Sequence, residues 1–208
     1  ARRVFVRASR QPLDAGIAPL YSRAVFVQVL PQRTLEVLQQ FAQEQTWVLG
    51  AAARGVAEPA AQQALVGEVR RLLLADYARH WEDYLGDLRL VPTPTLAASA
   101  DLAQLLARPD SPLLALLRAA VREVSIEPLA PRFDALRRYA AAPSAALDEL
   151  QSLLGKLAAH LAAVDDAAQR KAMPPASDVT RALAVAAEQA PQPLRSMLLQ
   201  LAATSTAQ

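Results

Sequence analysis

Asp76, His80, Asp83 and Asp87 are spaced four, three and four residues apart in the stretch ALVGEVRRLLLADYARHWEDYLGDLRL, Ala64 to Leu90. A helix through that stretch puts all four on one face. Carboxylates and an imidazole arranged that way can hold a metal ion inside a bundle, where Glu-x-x-His pairs on facing helices are one known arrangement. Such a centre needs ligands from neighbouring helices. The only other histidine is His160, and no second acidic-histidine stripe accompanies it. The face therefore reads as a solvated edge, metal-free, with Arg79 and Arg89 close enough to pair with its carboxylates.

Other chemistry is thinner still. The chain has no cysteine, no Gly-x-Ser-x-Gly elbow and no glycine-rich phosphate loop, and only six glycines in all. His160 in LAAHLAAV reads as a core or boundary histidine, and Asp165-Asp166 as solvated charge. Arg2, Arg3, Arg7 and Arg10 cluster at the start, without the aromatic platform that single-stranded nucleic acid needs. A net charge of +2 over 208 residues is no footprint for nucleic acid either. The expectation is a protein that is not an enzyme, with no cofactor and no small-molecule substrate.

The elements that carry these residues are helices. Leu65, Val69, Leu72, Leu73, Tyr77, Trp81, Tyr84, Leu85 and Leu88 recur at three- and four-residue steps, the period of a helix with one apolar side. Aromatic side chains contribute the largest burial per residue. Tyr77, Trp81, Tyr84 and Leu88, with Trp47 from a preceding helix over Thr34 to Gly50, are thus the expected structural core. Fifteen prolines break the pattern into separate helices. The fold class is all-α, a multi-helix bundle-like array with one short strand, Arg3 to Arg7, near the N-terminus. Two subdomains are expected: residues 1–127, organised on a helix over 59–90, and residues 128–208, with a long helix over about 144–172 and two shorter ones. A helix pattern from Leu20 is expected to stop at Pro31. Asp110-Ser111-Pro112 is a helix start, a capping side chain followed by proline at the first position. No apolar run reaches the roughly 18 residues that span a bilayer. The opening ARRVFV has no initiator Met, so any anchor or export signal is expected outside this stretch. Leu113 to Val124 and Leu194 to Leu201 are apolar enough to serve as lateral contacts.

Several stretches, taken in order, resemble the periplasmic region of the TssM (IcmF-like) family of inner-membrane proteins of bacterial type VI secretion. They are RVFVRASRQPLDAGIAPLYSRAVF, then Trp47-Val48-Leu49-Gly50, EVRRLLLADYARHWEDYLGDLRLVP, ARPDSPLLALLRAAVRE and PQPLRSMLLQLA. Ala18 and Val25 stand where the family carries glycines, and Arg132 to Ala176 match in pattern alone. The resemblance implies a structural segment of a periplasmic arm, a helical spacer and assembly surface in a membrane-anchored parent protein. It implies as partners TssL, other TssM copies, and the outer-membrane lipoprotein TssJ through a β-domain that lies downstream in the family. The reading from another class is a cytosolic helical adaptor, and a metal-carboxylate enzyme comes third.

Overall fold

The computed structural model describes residues 3–34, 36, 37, 40 and 59–206. Helices dominate it, with one two-stranded antiparallel sheet near the start, so the fold is all-α in class. The central helix α1 runs Pro59–Asp87, with proline at its first position, where a missing N–H is harmless. It ends three residues earlier than its periodicity predicts. Leu88–Leu90 are not its last turn but a strand, β2, paired antiparallel with β1, Phe5–Arg7. The expected single strand is thus one of two.

Main-chain pairing overrides the helical pattern there. Arg89 faces Val6 in the ladder, the Ala8 N–H donates to the Asp87 carbonyl at 2.8 Å, and the Val91 N–H donates to the Val4 carbonyl at 2.9 Å. Pro92 also disfavours helical geometry at Val91. Leu88 and Leu90 then bury at the strand's period of two, with Arg89 between them. The free edge of β2 is closed by Gln200, whose side-chain amide donates to the Leu90 carbonyl (2.9 Å) and accepts from its N–H (3.0 Å). An edge covered in this way is not available to another strand.

Between the sheet and α1, the chain makes short 3-10 turns at Leu13–Ala15 and Pro19–Tyr21 and a π-helical turn at Val25–Val29. Helical residues continue through 34, so Pro31 does not interrupt the helix as expected. The wide π turn before it leaves room for a proline ring that an α turn presses against the carbonyl four residues back. The expected helix from Thr34 to Gly50, Trp47 included, lies mostly outside the described residues.

Three of the remaining helices start at a side-chain cap. α2, Leu96–Ala107, is capped by Thr95 Oγ1, which accepts from the Ala98 N–H. α3, Pro112–Val124, is capped by Ser111 on the Leu114 N–H, with proline following as the sequence predicts. A short α4, Asp134–Ala140, leads to the long α5, Ala145–Gln169, capped by Ser144 on the Leu147 N–H. α6, Val179–Gln189, and α7, Leu194–Thr206, pack on each other, while α2 lies along α5.

Most of the buried apolar side chains form one connected cluster from Val4 to Ala202. The expected division after residue 127 falls between Ile126 and Leu129, both members of that cluster. Leu113, Leu117 and Val124 of α3, and Leu194, Met197, Leu198 and Leu201 of α7, are inside it. Those apolar faces are therefore core, not the lateral contact surfaces their composition suggested. The stripe on α1 is also shorter than expected. Leu74, Tyr77, Ala78, Trp81 and Leu85 are buried, whereas Leu65 and Leu72 are exposed. Among the described residues, no helix is long and apolar enough to cross a membrane.

Candidate functional site

The four residues do share one face of α1, and it is only partly solvated: His80 and Asp83 are exposed, Asp76 and Asp87 half-buried. The N-terminal segment lies across it and is fastened at two places. At the first, the Tyr21 hydroxyl donates to Asp76 Oδ2 at 2.5 Å, and the Tyr21 ring stacks on the His80 imidazole with centroids 3.7 Å apart. The hydrogen bond to the Asp76 carboxylate, then burial and the carboxylate's charge, raise the Tyr21 hydroxyl above its ordinary pKa. His80 Nδ1 lies 2.9 Å from the Asp76 carbonyl and 3.5 Å from its carboxylate. Trp81 Nε1 completes the anchorage by donating to the Tyr21 carbonyl at 2.9 Å.

At the second place, Asp87 accepts from Arg7 Nε (2.7 Å), the Ser9 N–H (2.8 Å) and the Ser9 hydroxyl (2.6 Å). The Arg7 guanidinium also sits 5.3 Å from the centre of the Tyr84 ring, within cation–π range. The partner of Asp87 is thus Arg7 rather than Arg89, whose guanidinium donates to the Gly86 and Leu88 carbonyls. No ion pair engages Arg79 among the described residues. Asp83 is exposed.

Among the described residues, no three His, Asp or Glu side chains converge on a point where an ion could sit. Two of the three carboxylates on this face already hold the N-terminal segment. Protein purified without chelator is expected to carry no stoichiometric metal, and its melt should be unchanged by EDTA. Bound metal whose removal lowers the melting temperature would overturn that account. His80→Ala is expected to lower stability by only about 0.5–1 kcal/mol, because its ring is half in solvent and its contact with Asp76 is exposed.

The other candidates are dispersed. His160 is half-buried on α5; Asp166 pairs with Arg170 at 2.8 Å, and Asp165 accepts from Gln169 at 2.8 Å. Of the arginine cluster, Arg2 lies outside the described residues, Arg7 is taken by Asp87, and Arg3 and Arg10 are exposed. A groove of about 430 Å³ between the Val25–Val29 turn, α1 and the loop after α3 is lined by Phe26, Val27, Leu30, Leu73 and Ile126, with Arg23, Arg70 and Glu127 beside them. Among the described residues, no His or Asp lines it.

Of the expected core residues, Tyr77 is wholly buried, with its hydroxyl donating to the Glu123 carbonyl at 3.1 Å, and burial pushes that hydroxyl's pKa up to about 12. Trp81 and Leu88 are buried, Tyr84 is half-buried and Trp47 lies outside the described residues. Residue spacing did not find Tyr21, Ser9 or Gln200. Tyr21 did carry a signal, as the last residue of the Leu-Tyr pair in the first quoted motif.

The fold is an all-α helical region with its N-terminal segment clasped to α1, and the family comparisons identify it. Residues 1–125 match the IcmF-related family, described as intracellular multiplication and human macrophage-killing. The chain belongs to that family: it is a region of a TssM/IcmF-like protein. It is 34% identical over 154 residues to the "Type VI secretion system component TssM1" of Pseudomonas aeruginosa. That alignment covers 74% of this chain and 13% of the relative's length. No solved structure matches the chain significantly.

Proposed function

We propose that this chain is a non-enzymatic segment of the periplasmic arm of a TssM-like inner-membrane protein, a helical spacer that also offers assembly surface. The observation that carries the reading is the single core cluster running from Val4 to Ala202, which ties the sheet, α1 and the α6–α7 pair into one packed interior. Close-packed interiors are poorly compressible and transmit strain, which is what a spacer in an envelope-spanning complex requires. The clasp on α1 serves the same end by binding the N-terminal segment to the longest helix. The partners that follow are the other membrane-complex subunits: TssL, further TssM copies, and the lipoprotein TssJ through a downstream β-domain. The parent protein is anchored in the inner membrane.

Side-chain labelling tests the placement. Met173 is 93% exposed in the loop before α6, and the chain has no cysteine of its own. Met173→Cys in the full-length protein should react with a membrane-impermeant maleimide once the outer membrane alone is permeabilised. Labelling above the unsubstituted protein at that stage is the expected result. Labelling only after the inner membrane is broken would overturn the reading in favour of a cytosolic adaptor.

A further inference from the structure

α6 is a ridge between two open grooves. On one side, a groove of about 700 Å³ runs between α4, α5 and α6 over Tyr139, Leu150 and Leu153. On the other, a groove of about 860 Å³ runs between α6 and α7 over Ala184, Leu199 and Ala202. Helices pack by setting the ridge of one into a groove of another, so a ridge flanked by grooves is complementary in shape to itself.

The crest of the ridge is complementary in charge as well. Arg181, Val185 and Glu188 follow at steps of four and three, share one helical face and are all exposed. Val185, at the middle, is 52% exposed. Neither Arg181 nor Glu188 forms an ion pair among the described residues. Arg195 of α7 reaches this end of α6, but its guanidinium is bound to the Ala187 and Glu188 carbonyls, at 3.3 and 2.7 Å.

We propose that the α6 crest is the contact face for a second copy of this chain, with the two α6 helices packed antiparallel about a two-fold axis beside Val185. This deepens the assembly-surface part of the function proposed above and rests on it. In that arrangement Arg181 faces Glu188 of the second copy and the pairing repeats across the axis, as a self-complementary interface requires. Val185 meets its own counterpart at the centre. A parallel pairing instead sets Arg181 against Arg181 and Glu188 against Glu188, which is repulsive. The order of charges along the crest therefore selects the antiparallel pairing. One eleven-residue helix with its flanking grooves is a small interface, below the roughly 800 Å² per partner of stable complexes. The isolated chain should dimerise weakly, and copies held together in a larger assembly should gain from repeated contacts.

Sedimentation equilibrium of this chain from roughly ten micromolar to one millimolar, the range that reads a weak complex, should show reversible monomer–dimer exchange. Arg181→Glu and Glu188→Arg, made singly, should each raise the dissociation constant at least about tenfold, and the double swap should return it to within about threefold of the parent. All three lie on the surface, and unchanged melts serve as the folding control. Because the chain has no cysteine, Val185→Cys reports one distance only, and mild oxidation should link it across the axis much faster than the more exposed Met173→Cys. A chain that stays monomeric throughout overturns the proposal. So does a folded double swap that does not regain dimerisation, or equal crosslinking at residues 173 and 185. None of these outcomes touches the periplasmic placement, which the maleimide experiment decides separately.

Discussion

Trp81→Ala is expected to destabilise the chain by about 3–5 kcal/mol, the usual penalty for emptying an aromatic core site. Trp81 is only 9% exposed and has neighbours on several sides: its ring lies 6.5 Å from that of Tyr77 and 6.1 Å from that of Tyr84, centre to centre. Phe26 meets Tyr77 edge-on at 4.7 Å, so the loss of Trp81 opens a cluster that spans α1 and the N-terminal segment. Its second effect is polar. The Tyr21 carbonyl loses the indole N–H, and a half-covered acceptor left without a donor costs about 1–3 kcal/mol. Trp81→Phe separates the two, since it keeps most of the ring and removes only the donor. Denaturant unfolding should rank parent above Trp81→Phe, and Trp81→Phe well above Trp81→Ala. A Trp81→Ala protein that unfolds with the parent would mean the aromatic cluster is not what fixes the N-terminal segment.

The same cluster shows what the amino-acid pattern could and could not reveal. Tyr77 and Trp81 were legible because helical periodicity and aromatic size point the same way, to a buried face. Helix starts at Ser111-Pro112 and Ser144 were legible because a capping hydroxyl acts within three residues of itself. Leu88 was misplaced because Leu85 and Leu88 fit a helical step, while the pairing that makes Leu88 a strand residue comes from Phe5 to Arg7, some eighty positions away. Only the alternation Leu-Arg-Leu before Val91-Pro92 hinted at it. The partners of the acidic face were hidden for the same reason. Spacing shows that Asp76, His80 and Asp87 share a face, but the partners Tyr21, Ser9 and Arg7 arrive from a separate segment. Patterns within one helix say which side chains stand together, not what is laid over them.

What is laid over them matters for the proposed spacer role, because a long helix carries load only if the segments beside it cannot peel away. α1 is held by the aromatic cluster in its C-terminal half and by the Asp87 clasp at its end. The Gln200 amide on Leu90 then joins that same end to α7. Sheet, α1 and α7 meet within four residues of sequence, Asp87 to Leu90.

Asp87→Asn should therefore loosen the joint, and its effect should depend on pH in a defined direction. In the parent, burial is the largest single influence on Asp87 and opposes its ionisation, but hydrogen bonds from Ser9 and Arg7, with the Arg7 charge, outweigh it. The folded carboxyl therefore ionises below its ordinary 3.8. A lowered folded pKa contributes stability that is fully present above the unfolded value and is lost as pH falls through the folded one. At neutral pH the Asn variant lacks that contribution. It also leaves the Arg7 guanidinium, whose side chain is only 12% exposed, beside a neutral amide. A loss of about 2–4 kcal/mol is expected at pH 7, since removing one partner of a largely buried charge pair strands the other. As pH falls below 3.8 and through the lower folded pKa, the parent's Asp87 takes up its proton and the gap closes, so urea midpoints of parent and variant should draw together in acid. Arg7→Ala in the Asp87→Asn background should then cost much less than in the parent, because the two side chains act as one unit. Additive losses, or a gap unchanged between pH 7 and pH 2, would show that the strand pairing alone holds β1 to the end of α1.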